Sequence, residues 1–232
     1  IDRFIGLNVE KVGNYAFAYC PKVEKIIFGR GTNGYRYAFI GTHAKELHVS
    51  DIAYWCNLII LDEGDYFPQA SNFILYAGGE RVTGEVIVPK DVTSIRAGLF
   101  QSNQDITSMR IEGNITSIGK LAFNGCSNLI SINNTNSVEG LGNASFAACS
   151  KLEVLELPNC GDIGGMACYN CSSLHTIKLG NVINIGNTAF YYCGRLKDVI
   201  INAPTPPALG SSAFGGTPST MSIYVPDQSV QA

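Results

Sequence analysis

The sequence contains little that would mark a nucleic-acid-binding or membrane-spanning protein. Charged residues make up only 15% of its 232 residues, and acids and bases are scattered along the chain to a net charge of −3. No basic run occurs, so the electrostatic footprint of a nucleic-acid-binding protein is missing. No stretch of about 18 apolar residues occurs either, so the sequence predicts no membrane-spanning helix.

Residues suited to catalysis are also scarce. There are only three histidines, His43, His48 and His175, and no pattern pairs any of them with a nucleophile. Glu153 and Glu156 resemble a glycosidase pair in residue type, but three residues apart beside one strand they are better explained as solvated side chains. We therefore expect no catalytic residue, no metal and no cofactor.

Disorder and processing signals are equally limited. An apolar share of 46% is typical of a folded chain rather than a disordered one. The sequence opens on Ile1 without an initiator methionine or a visible signal peptide, so we expect a fragment of a longer precursor.

Eight cysteines form an even number, which would favour disulfides in a small secreted domain. Their spacing, however, follows a repeat.

The repeat is marked by a small or aliphatic residue followed by an aromatic anchor, which cysteine replaces once. From Phe100 onward the anchors are 23, 23, 22, 22 and 24 residues apart, and Phe17 and Phe39 are 22 apart. The eight steps are Ala16-Phe17, Ala38-Phe39, Leu99-Phe100, Ala122-Phe123, Ser145-Phe146, Ala167-Cys168, Ala189-Phe190 and Ala213-Phe214.

Fixed positions around the anchor hold the same residue types in most copies. Glycine stands four residues before it, cysteine three after it, and aliphatic residues five before and six, nine and eleven after it. The last two aliphatics are two residues apart, which is the period of a strand with one buried face. We expect the glycine to lie at a sharp turn with positive φ, where it carries no steric penalty.

A repeat of about 22 residues is too short to bury its own core. Stacked copies bury it together, because neighbouring strands pair in parallel at a spacing of about 4.8 Å. The fold class predicted is α/β, a solenoid of repeats of about 22–23 residues with a parallel β-sheet. We expect short turns of helix at the Ala-Phe-x-x-Cys steps.

One copy, Ile118-Gly119-Lys120-Leu121-Ala122-Phe123-Asn124-Gly125-Cys126, continues with Leu129 and Ile132 and resembles the BspA-like leucine-rich repeat family. The resemblance covers residues 12–28 and 83–225, and covers 33–61 more weakly. It implies a right-handed leucine-rich repeat solenoid. It also implies a secreted or cell-surface protein, typically bacterial, that binds matrix proteins or neighbouring cells.

The domain organisation predicted is a single leucine-rich repeat domain over residues 1–232. Two sub-blocks, 1–61 and 83–225, flank an irregular segment at 62–82 and share one core. Residues 51–61 have the pattern of a shortened copy. Five of the nine prolines lie after residue 203, which favours a C-terminal cap over 204–232.

The cysteines are explained by the repeat. Cys168 and Cys171 have a spacing typical of metal or redox sites, yet Cys168 occupies an anchor position and Cys171 the regular cysteine position. We expect buried, unpaired thiols that act as small hydrophobic residues. A bridge between neighbouring turns is the alternative.

Two regions are candidates for binding. The first is the exposed strand position between the last two aliphatics, with its neighbours. Its residues are Ile27, Arg110, Asn133, Glu156, Lys178 and Ile200, with Glu153, His175, Lys197 and Asp198 beside them. Their mixed charge without an aromatic row favours a protein partner over a sugar, with Arg110, Glu156, Lys178 and His175 as the candidate contacts. A merely solvated face is the alternative.

The second region is an aromatic cluster around the irregular segment, formed by Tyr35, Tyr37, Tyr54, Trp55, Tyr66, Phe67, Phe73 and Tyr76. These side chains either pack the junction between the sub-blocks or form an exposed patch for a partner or glycan. On the second interpretation Tyr54, Trp55, Tyr66 and Phe67 are the contacts.

The functional expectation is a non-catalytic binding module of a secreted or cell-surface protein. Its partner would be an extracellular protein, from a host matrix or a neighbouring cell, bound for adhesion. A surface glycan-binding or accessory lipoprotein is the alternative. We expect no nucleic-acid partner.

Overall fold

A computed structural model describes residues 3–6, 9–30, 33–34, 38–58 and 73–226. Besides one short α-helix, α1 (Ile52–Asn57), and a 3-10 helix at Thr135–Ser137, the regular structure there is β. In chain order the strands are β1 (Arg3–Gly6), β2 (Lys11–Val12), β3 (Lys25–Phe28), β4 (Asn33–Gly34), β5 (Glu46–Val49), β6 (Ile74–Ala77), β7 (Glu80–Arg81), β8 (Gly84–Val88), β9 (Ser94–Ile95), β10 (Ile106–Ile111), β11 (Ser117–Ile118), β12 (Ser131–Asn133), β13 (Gly140–Leu141), β14 (Val154–Leu157), β15 (Asp162–Ile163), β16 (Thr176–Leu179), β17 (Asn184–Ile185), β18 (Asp198–Ile201), β19 (Ala208–Leu209) and β20 (Ser222–Tyr224).

The strands form a solenoid of about eight turns with two walls. One wall consists of the longer strands, in the orders β1-β3-β5-β6-β7, β8-β10-β12 and β14-β16-β18-β20. The other consists of two-residue strands, in the orders β2-β4 and β9-β11-β13-β15-β17-β19. Every pairing is parallel except that of β6 with β7. The predicted leucine-rich repeat solenoid with a parallel sheet is thus confirmed.

The aromatic anchors stack along the inside of the coil. Ring centroids lie 5.4 Å apart for Phe100 and Phe123 and 5.1 Å apart for Phe123 and Phe146, with nearly parallel planes. Phe190 and Phe214 continue the stack at 5.3 Å. One buried hydrophobic cluster includes side chains from Val12 to Ala213, so both halves of the coil share it. Each fully buried ring contributes about 2–3 kcal/mol of hydrophobic stabilisation.

In place of the helical turns expected at the Ala-Phe-x-x-Cys steps, the chain forms hydrogen-bonded turns. The residues two before and two after the anchor have positive φ, for example Ala144 (53°) and Ala148 (58°) around Phe146. A left-handed residue interrupts the right-handed α-helix, so no helix propagates. Six anchors instead donate a backbone hydrogen bond to the next turn, as Phe123 N does to Ser145 O at 2.7 Å.

The repeated glycine has a different role from the one the sequence indicated. Gly119, Gly142, Gly164, Gly186 and Gly210 are not among the residues with positive φ. A Cβ at Gly142 would instead lie 2.3 Å from Lys120 N in the preceding turn, and the other four meet backbone just as closely. Glycine is required there because two turns approach each other, and the expectation of positive φ is wrong.

Within the segment 51–61, expected to be a shortened repeat, the residues Ile52–Asn57 instead form the helix α1, and 59–61 lie outside the described residues. Asp51 caps its start, because the carboxylate accepts a hydrogen bond from Tyr54 N at 2.7 Å. Arg96, which replaces the repeat glycine, donates to Trp55 O at 3.1 Å and Cys56 O at 3.0 Å at the other end. This arginine ties α1 to the first turn of the C-terminal half.

The segment 62–82, expected to fit no repeat, is described from residue 73 onward. There β6 pairs in parallel with β5, with Leu47 opposite Leu75, so the long-strand wall continues into it. After β7 turns back, Arg81 forms an ion pair with Asp105 at 2.7 Å. At the other end of the coil, β20 adds to β18 as the last long strand.

Candidate functional site

The candidate site is the exposed face of the long-strand wall, where side chains alternate between core and solvent. We call one outward-facing column of this wall the sheet stripe. It consists of Ile5, Ile27, His48, Tyr76, Ile87, Arg110, Asn133, Glu156, Lys178, Ile200 and Tyr224. Its members are aligned in three runs, from β1 to β6, from β8 to β12 and from β14 to β20.

The C-terminal run is a charged pair followed by apolar side chains. Glu156 and Lys178 face each other on adjacent strands at 2.6 Å, and each side chain is about half exposed. Ile200 and Tyr224 follow, with Tyr224 Oη 3.3 Å from Asp198 Oδ1. His175 is exposed just before β16, with Nδ1 2.9 Å from Thr176 Oγ1. Three candidate contacts, Glu156, Lys178 and His175, therefore lie at one accessible surface.

Arg110 is at the centre of the stripe. Its guanidinium lies 2.8 Å from Glu112 and 3.6 Å from Glu85, both carboxylates on the same wall. Ile87, its neighbour in the column, is 40% exposed although it is apolar. Arginine is enriched among the residues that dominate protein interfaces, and the centre of an interface is its more apolar part.

The N-terminal run contains a feature that the sequence pattern did not reveal. The rings of His48 and Tyr76 stack with centroids 4.2 Å apart and planes 1° apart. Glu46 Oε2 lies 2.9 Å from His48 Nε2 and 2.9 Å from Lys25 Nζ. The hydrogen bond from His48, and then the contact with Lys25, lower the pKa of the Glu46 carboxyl from its usual value.

The aromatic cluster divides into buried and outlying members. Trp55 is fully buried and packs edge-on against Phe73, with centroids 6.3 Å apart. This burial removes Trp55 as a contact for a partner, because its ring has no exposed surface. Tyr54 is half-buried against the core. Tyr66 and Phe67 lie outside the described residues, as do Tyr35 and Tyr37.

Tyr76 and Tyr224 were missed as members of the stripe. Both occupy the exposed position of a strand whose alternate residues face inward, Leu75 beside Tyr76 and Ile223 beside Tyr224. An alignment of residues 74–77 with the other long strands would have found Tyr76. The sequence of the segment 62–82 fits the repeat nowhere else, and that departure concealed strand β6.

The thiols offer no reactive group on this face. All eight cysteines are unpaired and seven are buried, as expected from the repeat. Cys126 Sγ donates to Phe100 O at 2.9 Å and Cys149 Sγ to Phe123 O at 3.1 Å, each reaching the preceding turn. Burial raises the pKa of Cys126 to about 12. Within the described part of the chain, no group of three or more His, Cys, Asp or Glu side chains is placed to hold a metal ion.

Parallel long and short strands, stacked with one core ring in nearly every turn, define a leucine-rich repeat solenoid. The model of the BspA type leucine rich repeat region matches six copies, over residues 4–55 and 83–197, which is more than half of the chain. The chain therefore belongs to the BspA-type leucine-rich repeat family. This repeat is in general a non-catalytic binding scaffold, and no enzyme family is indicated. No curated protein matches the chain.

Solved structures share this fold at low identity. The pneumococcal vaccine antigen PcpA aligns with a TM-score of 0.61 and 17% identity, over 98% of this chain and 63% of that one. A leucine-rich repeat protein from Eubacterium ventriosum gives 0.58 and 16%, over 96% and 77%. One from Bacteroides ovatus gives 0.52 and 18%, over 94% and 64%. The chain thus spans less than two thirds of the antigen and of the Bacteroides protein.

Among its described residues, no helix has the length and apolar character to cross a bilayer.

Proposed function

We propose that the chain is a non-catalytic protein-binding module of a secreted or cell-surface protein, and that it mediates adhesion to a host matrix or a neighbouring cell. The sheet stripe is the observation that carries this proposal. It presents one outward side chain per long strand, and Tyr224 and Ile87 on it are 52% and 40% exposed. Solenoids of this kind use an extended wall to bind partners.

The composition of the stripe favours a protein as the partner. Exposed isoleucine and tyrosine supply apolar contact area, and Arg110 supplies a planar donor group. The Glu156–Lys178 pair is exposed, so it contributes little stability but can select a partner by charge. The only stacked rings in the stripe are His48 and Tyr76, which face each other rather than solvent. A row of open ring faces, on which sugar rings could stack, does not occur along the described stripe.

A location outside the cell is part of the proposal and follows from the family resemblance. Unpaired cysteines are more common in the cytosol than outside it. Here seven of the eight are buried, and burial keeps the Cys126 and Cys193 thiols protonated, with pKa values raised to about 12. Protonated, inaccessible thiols resist oxidation, so the free cysteines are compatible with an oxidising environment.

The test is binding of the chain to immobilised matrix proteins. Ile87→Asp and Arg110→Glu each change the centre of the stripe without altering a buried side chain. We expect each to weaken saturable binding about tenfold or more, as loss of a central contact does. Arg195→Glu changes an exposed charge in the turn before β18, which is not a member of the stripe, so it is the matched control and should bind as the unmodified chain does.

Circular dichroism should first show that all three variants are folded. Equal binding by Ile87→Asp, Arg110→Glu and the control would exclude the stripe as the adhesive surface. Absence of binding to any matrix protein or to cells of a neighbouring species would contradict the adhesion role itself.

A further inference from the structure

A second surface feature lies at the edge where the chain leaves the long strands. The repeat that contains Phe123 departs from the pattern there, because Asn134 replaces the last aliphatic and adopts a left-handed conformation with φ of 63°. Thr135 turns inward instead and bonds to Glu156 O. The long-strand wall is interrupted at this point, since β12 and β14 belong to different sheets.

This departure opens a cleft of about 570 Å³ between three successive turns. Its walls come from the segments that follow β8, β10 and β12, and the side chains that line it are mostly polar: Lys90, Glu112, Asn114, Asn134, Asn136 and Ser137. Gly113 closes the floor, because a Cβ there would lie 2.9 Å from Lys90 O and from Val92 O. The volume is within the range of small-molecule sites.

The hydrogen-bonding capacity of the cleft is only partly used. Asn134 Nδ2 donates to Ile111 O at 3.0 Å, and Ser137 Oγ donates to Ile115 O at 2.9 Å, so these two side chains are fixed. The carboxamides of Asn114 and Asn136 are exposed, and neither has a side-chain partner among the described residues. Each carboxamide offers donors and an acceptor together.

The charges of the cleft balance. Lys90 carries one positive charge, with no ion-pair partner in the described part of the chain, and Glu112 carries one negative charge that Arg110 holds at 2.8 Å. Arg110 is in turn shared with Glu85 at 3.6 Å. Lys90 and Glu112 line the cleft and Arg110 and Glu85 lie behind Glu112, so these four groups together carry no net charge. No aromatic side chain lines it, so ring stacking plays no part.

We propose that this cleft binds an uncharged saccharide, either free or carried on a glycoprotein. A neutral sugar ring bears many hydroxyls, and each hydroxyl both donates and accepts a hydrogen bond. The carboxamides of Asn114 and Asn136 meet that requirement with their unused donors and acceptors, and Lys90 adds a further donor. The proposal is independent of the adhesion role, because its residues follow the long strands and are not part of the sheet stripe.

The test uses an array of neutral and acidic oligosaccharides, followed by calorimetry with the best neutral binder. We expect saturable binding to a neutral oligosaccharide, weakened about three- to tenfold by Asn114→Ala and by Asn136→Ala, since each removes one or two hydrogen bonds. Asn202→Ala changes an exposed asparagine at the same edge three turns beyond Asn136 and should leave affinity unchanged. Thermal unfolding of each variant should match that of the unmodified chain.

A second experiment, with a glycoprotein as the ligand, distinguishes a free saccharide from one carried on a protein. Binding of a glycoprotein that disappears after enzymatic deglycosylation supports the site, and binding that persists identifies a protein ligand and overturns it. Binding to acidic glycans alone would contradict the charge balance of the cleft. No binding on the array, or equal loss in Asn136→Ala and Asn202→Ala, would also overturn the proposal. Ile87→Asp changes no residue of the cleft and should leave saccharide binding intact, so the result is distinguishable from that of the adhesion test.

Discussion

At the residue scale, the repeat glycine determines how closely two turns approach. Because a Cβ at Gly142 would lie 2.3 Å from Lys120 N and 2.6 Å from Gly119 C, the obstacle is backbone and not a flexible side chain. The strained positions of the turn, by contrast, are occupied by ordinary residues such as Ala144. Steric contact and dihedral strain therefore occur at different residues of one turn.

Gly142→Ala should lower the free energy of unfolding by about 1–3 kcal/mol, because the neighbouring turn must shift to admit the methyl group. Ala144→Gly is its counterpart, since it relieves a left-handed alanine two residues away at the cost of chain entropy. That variant should be unchanged or stabilised by up to about 1 kcal/mol. Guanidinium unfolding measures both. Equal destabilisation by the two would contradict this division of roles.

The buried thiols predict sensitivity to alkaline pH. The Cys126 thiol has a pKa raised by burial from 9.0 to about 12 in the folded chain. Between these values the unfolded chain loses this proton and the folded chain keeps it. The unfolded state therefore binds fewer protons, and stability falls as pH rises, by about 1.4 kcal/mol per pH unit for each such thiol.

Replacing Cys126 by alanine should reduce that slope. The variant should be less stable than the unmodified chain at pH 7, because a cavity replaces the sulfur, yet it should lose less stability between pH 9 and pH 11. Guanidinium unfolding across this range gives both slopes. Parallel curves for the two proteins would show that Cys126 does not titrate as its burial requires.

At the scale of elements, α1 is the one α-helix among the described residues. Its two ends are held by different residues, Asp51 at the start and Arg96 at the finish. Arg96 directly follows strand β9, forty residues further along the chain than Cys56. The helix thus depends on the C-terminal half for the hydrogen bonds of its last carbonyls.

Arg96→Met should therefore destabilise the protein by about 1–3 kcal/mol, because two half-buried carbonyls lose a charged donor. The loss should be local, with faster amide hydrogen exchange in α1 and β5 than in β14 or β16. Arg96→Lys should not restore protection, since one ammonium does not reproduce the two-pronged contact. Uniform acceleration along the whole chain would argue against a local role.

The elements also show what the sequence did and did not predict. Spacing alone located the strand positions and the core ring, because buried apolar side chains must recur once per turn. It did not predict α1, since Cys56 in the helix and Leu58 directly after it are buried as they would be in a repeat. It also missed the His48–Tyr76 pair and the cleft beside Asn134. Both depend on which residues become neighbours across turns, and a single repeat does not contain that information.

At the scale of the whole molecule, the contribution of a core position depends on where along the coil it lies. Ile177 and Ile223 belong to the same inward column of the long-strand wall. Ile177 is fully buried between two turns, whereas Ile223 in the last strand is 49% exposed. The repeat places isoleucine at both positions. Ile177 has a turn packed on each side, whereas Ile223 has a turn on one side only.

Ile177→Ala should cost about 2–5 kcal/mol of stability, the usual range for a buried isoleucine. Ile223→Ala should cost less than half as much, because much of its surface already contacts water. Thermal or chemical unfolding measures the two losses of stability, and both variants carry the same isoleucine-to-alanine change. A cost at Ile223 equal to that at Ile177 would mean that the last strand is covered in solution.

The hydrogen bonds that join one turn to the next affect how the number of repeats can evolve. Phe123 N bonds to the turn after it and Cys149 Sγ to the turn before it, and neither reaches further. Duplication or deletion of one complete repeat in the gene would therefore leave every other junction as it was. Each such event would lengthen or shorten the long-strand wall by about 4.8 Å. Recombination can therefore change the length of the solenoid without altering the packing of its core.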